Sequence, residues 1–205
     1  MAMKGRFIPA FFAFFGSSNA GFRENSDFLD APCREVASSS VLCTKSDIIW
    51  RCTMAEPREL TLTRFIDVPR EKLYRCWTED DLLKQWFVPA PWTIASARVD
   101  VRPGGISHIV MADPEGNEYP NQGIYLEVVP NEKIVFTDAY TDAWTPSEKP
   151  FFTGIITFAD EAGGTRYTAV ARHWTEADKK SHEEMGFHEG WGKAADQMAA
   201  LAATL

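Results

Sequence analysis

The last thirty residues, 176–205, constrain this chain more than any other stretch, because no other segment is long and periodic enough to form a long helix. Phe187, Trp191, Ala194, Met198 and Leu201 recur at spacings of three and four, which stacks them on one helical face. Asp178, Lys179, Lys180, Glu183, Glu184, Lys193 and Asp196 fall mostly elsewhere. Thr175 is placed to cap the start, with Asp178 three residues on, close to a capping box. Gly186, Gly190 and Gly192 work against the helix, each by about 1 kcal/mol relative to alanine. Close packing or a kink is one reason for them; room for a ligand beside the helix is the other.

Upstream the period falls to two. In residues 58–68, Leu60, Leu62, Arg64 and Ile66 alternate with Thr61, Thr63 and Phe65, the pattern of a strand. Pro69 then opens a helix at its favoured first position. Leu73 and Trp77, then Leu82, Leu83, Trp86 and Phe87, mark two short amphipathic helices, with Thr78, Asp80 and Asp81 at the start of the second. Pro89 and Pro91 end this pair. Six strands follow, over residues 96–102, 106–112, 118–129, 133–141, 151–159 and 166–174, separated by turn sequences and by a longer polar loop over 142–150. Strands segregated from helices make an α+β fold. The expected architecture is a curved antiparallel sheet of seven strands wrapped around the long C-terminal helix, with the two short helices closing one end. A ligand belongs in the gap between sheet and helix.

Charge narrows the partners. Residues 1–53 carry six Lys/Arg against five Asp/Glu, and residues 54–205 carry fifteen against twenty-four, so the two parts stand at +1 and -9. An acidic body speaks against phosphate-backbone binding, and no nucleic-acid partner is expected. Cys33, Cys43, Cys52 and Cys76 match no zinc spacing, and Cys76 beside Trp77 reads as a small buried thiol. That pattern suits a reducing, cytoplasmic compartment. No apolar run is long enough to span a bilayer. Residues 1–53 read as an N-terminal extension, disordered or arising from an upstream start, ahead of a domain over 54–205. The alternative is that residues 1–20, with Lys4 and Arg6 before FIPAFFAFFG, act as a signal peptide and the protein is secreted or periplasmic.

Five segments carry a resemblance: RFIDVPREKLYRCWTEDDLLKQWF (64–87), the RPGG turn (102–105), GNEYPNQGIYLEVVPNEKIVFT (116–137), GTRYTAVARHW (164–174) and EMGFHEGW (184–191). In this order the chain resembles the START-like or SRPBCC superfamily. Within it, the match is to the C-terminal-domain family of the activator of heat-shock protein 90 ATPase, in its small single-domain bacterial type. The resemblance spans about 150 residues, from Arg58 to the end. It implies a helix-grip fold, in agreement with the periodicity, and a possible chaperone contact. The eukaryotic activator carries a further domain with a Trp-His-Trp type motif. The His-Trp pair here, His173-Trp174, lies in an expected strand, so ATPase activation is not implied.

No nucleophile elbow, phosphate loop or His-Glu-x-x-His motif occurs, and no cofactor is expected. His182 and His188 are six apart, which does not put them on one helical face, so no metal site is expected there. His173 shares a strand face with Tyr167, Ala169 and Ala171 and points to the gap, either as a structural histidine or as a weak candidate general base. Ile109 and Met111 lie on the gap side of their strand, and His108 on the other. The expected ligand-binding group is Trp86, Phe87, Ile109, Met111, Phe136, Tyr140, His173, Phe187 and Trp191, each of which also has a plain packing role. The leading function is a module binding a small hydrophobic molecule, as monomer or homodimer. One alternative is a cyclase- or dehydratase-like enzyme on a polyketide or aromatic substrate, using His173 with Tyr140 or Glu189. The other is a chaperone-associated interaction protein.

Overall fold

Among the described residues, seven strands and four helices form in the order β1 (Glu59–Ile66), α1 (Arg70–Thr78), α2 (Asp80–Leu83), β2 (Thr93–Val99), β3 (Ile106–Ala112), β4 (Glu118–Val129), β5 (Lys133–Thr137), β6 (Phe152–Glu161), β7 (Gly164–His173), α3 (Glu176–Glu184) and α4 (Phe187–Ala202). The structure, a computed structural model, describes residues 58–205 except residue 143. The expectations of an extension or a signal segment over residues 1–53, and of a boundary at 54, lie outside the described residues.

The strands make one antiparallel sheet in the order β1-β7-β6-β5-β4-β3-β2. It is an open α+β sheet gripped by helices, as the period-two pattern requires. Its register defines the concave face. One row runs Leu60, Ala171, Gly154, Phe136 and Tyr125, and a parallel row runs Leu62, Ala169, Ile156 and Ile134. Beyond Tyr125 the same face continues through Gly123 with Ser107, Asn121 with Ile109, and Tyr119 with Met111. Small residues near the β1 edge leave depth for helix side chains. Gly154 leaves space for an aromatic ring, since a Cβ there would lie 2.3 Å from Cζ of Phe136.

The cover differs from the single helix that the C-terminal periodicity suggests. Residues 176–205 divide into α3 and α4 at Met185 and Gly186, with Gly186 in the left-handed region at φ 91°. The Gly186 amide closes α3 on the Glu183 carbonyl, and its own carbonyl accepts from Gly190 to start α4. Glycine takes this conformation without the steric penalty of a Cβ. The kink is therefore the reason for Gly186. The capping box forms as expected, with the Asp178 amide donating to Thr175 Oγ1 at 3.1 Å. Helix α4 packs against α1 and β1, α1 lies against β6, and α2 lies against β2, so α1 shares the cover with α4. Asp80 and Asp81 stand in the first turn of α2 as expected, behind Glu79 at the N-cap, and Asp80 Oδ1 accepts from the Val99 amide. Among the described residues no helix is long and apolar enough to cross a membrane.

Candidate functional site

Between α4 and the concave face lies an apolar cavity. Helix α4 contributes Gly190, Trp191, Ala194 and Ala195, α1 contributes Trp77, and β7 contributes Tyr167. The remaining wall is the segment after α2, Trp86 to Pro89. Its aromatic rings stack edge to face, Trp77 on Trp86 at 5.0 Å, Trp77 on Phe87 at 5.8 Å and Trp86 on Phe87 at 5.6 Å between centroids. The Trp86 and Phe87 amides of this wall donate to the Leu83 carbonyl at the end of α2, while its carbonyls face α4. Gln197 of α4 reaches across to them, donating from Nε2 to the carbonyls of Trp86 at 3.0 Å and Val88 at 2.8 Å. Its Oε1 accepts from the Ala90 amide at 3.2 Å. Trp86 Nε1 donates in turn to the Cys76 carbonyl at 2.9 Å. Cys76 is a free, buried thiol whose pKa burial pushes up to about 11, which leaves it protonated and unreactive.

The cavity offers about 20 Å³ to the centre of a water molecule. One water needs roughly 10–15 Å³ on that measure. In this conformation the cavity fits a water, and a larger guest requires side chains to move.

A second cavity lies across Phe87, which lines both. Its apolar floor is Phe87, Ile109, Phe136 and Phe152, and its polar rim includes Ser107, Asn121, Gln122 and Asp138. Asp138 is half-buried just past the end of β5. The Phe151 amide donates to both of its carboxylate oxygens, at 3.0 and 2.9 Å, and the Phe152 amide donates to Oδ1 at 3.2 Å. Burial raises its pKa to about 6 despite these bonds.

The histidine expected at the gap has a partner that spacing along the chain did not reveal. Nε2 of His173 and Nδ1 of His182 are 2.8 Å apart, in a buried pair surrounded by Phe151, Phe152, Phe187 and Trp191. The tautomers follow from the backbone. Nδ1 of His173 lies 3.2 Å from the Arg58 carbonyl, which only accepts, so Nδ1 carries the proton. Nε2 of His173 then accepts from Nδ1–H of His182. This leaves Nε2 of His182 a bare acceptor, buried with no partner among the described residues. Burial lowers both pKa values, that of His182 to about 3, with repulsion from His173 adding to it. Both rings are neutral at pH 7. With both nitrogens engaged, His173 has no free lone pair for a general base.

The expected group is thus divided. Trp86, Phe87 and Trp191 line the first cavity, and Phe87, Ile109 and Phe136 the second. Met111 and Phe187 are fully buried in the core, with Phe187 stacked on Trp191 at 4.8 Å. Tyr140 does not join them. Strand β5 stops at Thr137, and Tyr140 sits in the following loop, bridged to Pro146 with its ring on Trp144. His108 is half-buried, its Nε2 3.3 Å from the Thr141 carbonyl. Glu189 points away on α4 and pairs with Lys193 at 2.8 Å. Trp77 and Tyr167, placed on inward faces by periodicity but not included in the expected ligand group, line the first cavity, and Asp138, which periodicity did not mark, lines the second. Outside the gap, a groove of about 310 Å³ runs between edge strand β1 and α4, lined by Arg64, Phe65, Val68, Ala195 and Ala199 among others.

Comparison with known proteins agrees with this architecture. Over residues 67–203 the chain matches the family described as activator of Hsp90 ATPase homolog 1-like protein. A solved structure from Nitrosomonas europaea is similar at 45% identity and a TM-score of 0.70, covering 74% of this chain and 97% of that one. Another from Mycobacterium smegmatis shares 26% identity at a TM-score of 0.59, covering 71% and 91%. One from Chromobacterium violaceum shares 25% at 0.55, covering 71% and 97%. No curated protein matches the chain.

Proposed function

The chain belongs to the activator of Hsp90 ATPase homolog 1-like family, and on that premise we propose that it binds one small, largely apolar molecule between α4 and the concave face of the sheet and releases it unchanged. The observation that carries this reading is the first cavity itself. Aromatic rings bound it on the sheet and α1 sides, while α4 presents Gly190, Ala194 and Ala195 where a core helix would ordinarily place larger side chains. Filling that space with apolar atoms removes surface from water on both partners.

The test is a thermal-shift and native mass-spectrometry screen with lipophilic small molecules. A ligand that binds only the folded state raises the midpoint, by an amount that grows with the logarithm of its concentration above Kd. Gly190→Leu overfills the cavity and is expected to abolish the shift at a stability cost of no more than about 1–3 kcal/mol. Equal damage to binding and stability, or a broad library with no shift, rejects the reading. Turnover of a cyclase or dehydratase type gains no support from His173, whose nitrogens serve the Arg58 carbonyl and His182.

A specific observation favours a second reading, a protein contact. Phe65 is 52% exposed beside the groove of β1 and α4. Under that reading a chaperone or other protein docks there, and Phe65→Ser removes the interaction while Gly190→Leu leaves it intact. The acidic body argues against nucleic acid as the partner under either reading. The free thiol of Cys76 suits a reducing compartment such as the cytoplasm.

A further inference from the structure

The two cavities differ in chemistry, and one side chain separates them. The first is mainly apolar, its polar atoms being the Tyr167 hydroxyl and indole N–H groups. The second has a hydrogen-bonding rim of Ser107, Asn121 and Asp138 above an aromatic floor. Phe87 belongs to the wall of both, so a change in its rotamer is the shortest route to a continuous space. Each cavity offers about 20 Å³ to the centre of a water molecule, so a ligand spanning both is seated only once Phe87 and its neighbours move.

The rim also discriminates by charge. The Asp138 carboxylate accepts from the Phe151 and Phe152 amides and, among the described residues, pairs with no cation. Among the described residues no lysine or arginine lines this cavity. The other charge acting on Asp138 is Asp178 of α3, of the same sign. Beyond the rings of Phe151 and Phe152 stand His173 of β7 and His182 of α3, both neutral at pH 7. An anionic group would meet a carboxylate with no counter-charge, in a site where partial burial strengthens the repulsion. A hydroxyl or an ammonium group would find an oriented acceptor, and the ammonium an opposite charge as well.

Resting on the proposed apolar-ligand function, we propose that the ligand is amphipathic, with an uncharged or cationic hydrogen-bond-donating head at Asp138 and an apolar body that passes Phe87 into the cavity beneath α4. The site accepts alcohols and amines and excludes carboxylates and phosphates of the same apolar length.

Three probes of equal chain length test this by titration calorimetry at pH 7.5: 1-decanol, decylamine and decanoate. The expected result is binding of the alcohol and the amine, with decanoate weaker by about tenfold or more. In Asp138→Asn the amine is expected to drop to the level of the alcohol and decanoate to gain. The asparagine Oδ1 still accepts from Phe151 and Phe152, but its Nδ2 replaces the oxygen that faced the Phe151 amide, so an unchanged thermal midpoint is required of the variant before its binding is compared. The wild-type protein offers an independent arm: decanoate binding is expected to strengthen as the pH falls through about 6, where Asp138 takes up a proton. Equal binding of all three probes, unchanged in Asp138→Asn and flat with pH, overturns the inference and leaves the apolar-ligand function standing. Preference for decanoate at pH 7.5 overturns it as well. Binding of none of the three, together with an empty lipophilic screen, defeats the underlying function instead.

Discussion

Replacing Gln197 with leucine isolates what holds the cavity wall in place. The leucine side chain has a similar length but neither donor nor acceptor, and three backbone groups lose their partner at once, the Trp86 and Val88 carbonyls and the Ala90 amide. A typical intramolecular hydrogen bond is worth about 0.5–1.5 kcal/mol net, and a buried group left unsatisfied costs toward the upper end. Three bonds therefore amount to roughly 2–4 kcal/mol, reduced where water reaches the carbonyls. For a domain of this size each kcal/mol moves the midpoint by about 2–4 °C, so a drop on the order of 5–15 °C is expected. Gln197→Ala should lose less, because the space it opens admits water to the same carbonyls. Urea denaturation gives the free energy, and hydrogen exchange at the Ala90 amide gives the local opening. Ligand affinity should fall further than global stability, since Trp86 and Phe87 are the part of the wall set free. A loss below about 0.5 kcal/mol in Gln197→Leu, with Ala90 exchange unchanged, refutes the view that this residue anchors the wall.

Two further perturbations probe the ends of the site. Gly154→Ala places a methyl group 2.3 Å from the Phe136 ring tip, so overpacking of about 1–3 kcal/mol is expected, and Phe136→Leu in the same chain should restore part of it; a double-mutant cycle with no coupling rejects the contact. For the buried pair, folding lowers the His182 pKa to about 3, so the unfolded chain binds more protons below about pH 6.5, and this contribution to stability is intact above that pH and declines as the pH falls toward 3. His182→Asn keeps a donor for His173 but does not titrate. It should therefore lessen the stability lost between pH 7 and pH 5 by about 2 kcal/mol; an unchanged pH profile in urea melts would contradict the pairing.

The strands were legible because alternation reports burial on one face directly. The limits of β3 and β4 coincide with the alternating runs at residues 106–112 and 118–129. Strand β5 was overextended for a physical reason. At Asp138 the carboxylate takes the Phe151 and Phe152 amides that a continued ladder would have used, so pairing ends at Thr137 with Thr153. Parity counted past that point carried Tyr140 to the wrong place. The helical face of residues 187–201 was equally readable, and the glycines within it had two readings. Gly186 realises the kink, Gly190 lies in the cavity lining, and a Cβ on Gly192 would come 3.2 Å from an Arg64 guanidinium nitrogen.

The site was harder to read because its decisive contacts join residues far apart in the chain. Gln197 meets Trp86 across 111 positions, and no local pattern distinguishes it from a solvated glutamine. His182 is closer, nine positions from His173, but the two lie on different elements, and a search for helical metal spacing pairs it with His188 instead. What could have drawn attention to it is a polar side chain in a helix whose neighbours in space are all aromatic. The pair also explains how this end of the fold is held. One chain of hydrogen bonds runs from the Arg58 carbonyl at the start of β1, through His173 at the end of β7, to His182 in α3. Neutral rings join these three elements without placing a charge behind Phe152, and Phe152 lines the second cavity while touching Trp191 of the first at 6.1 Å. A charged pair in that position would attract an anion through the ring layer. A neutral pair leaves Asp138 as the charge that sets the preference of the site.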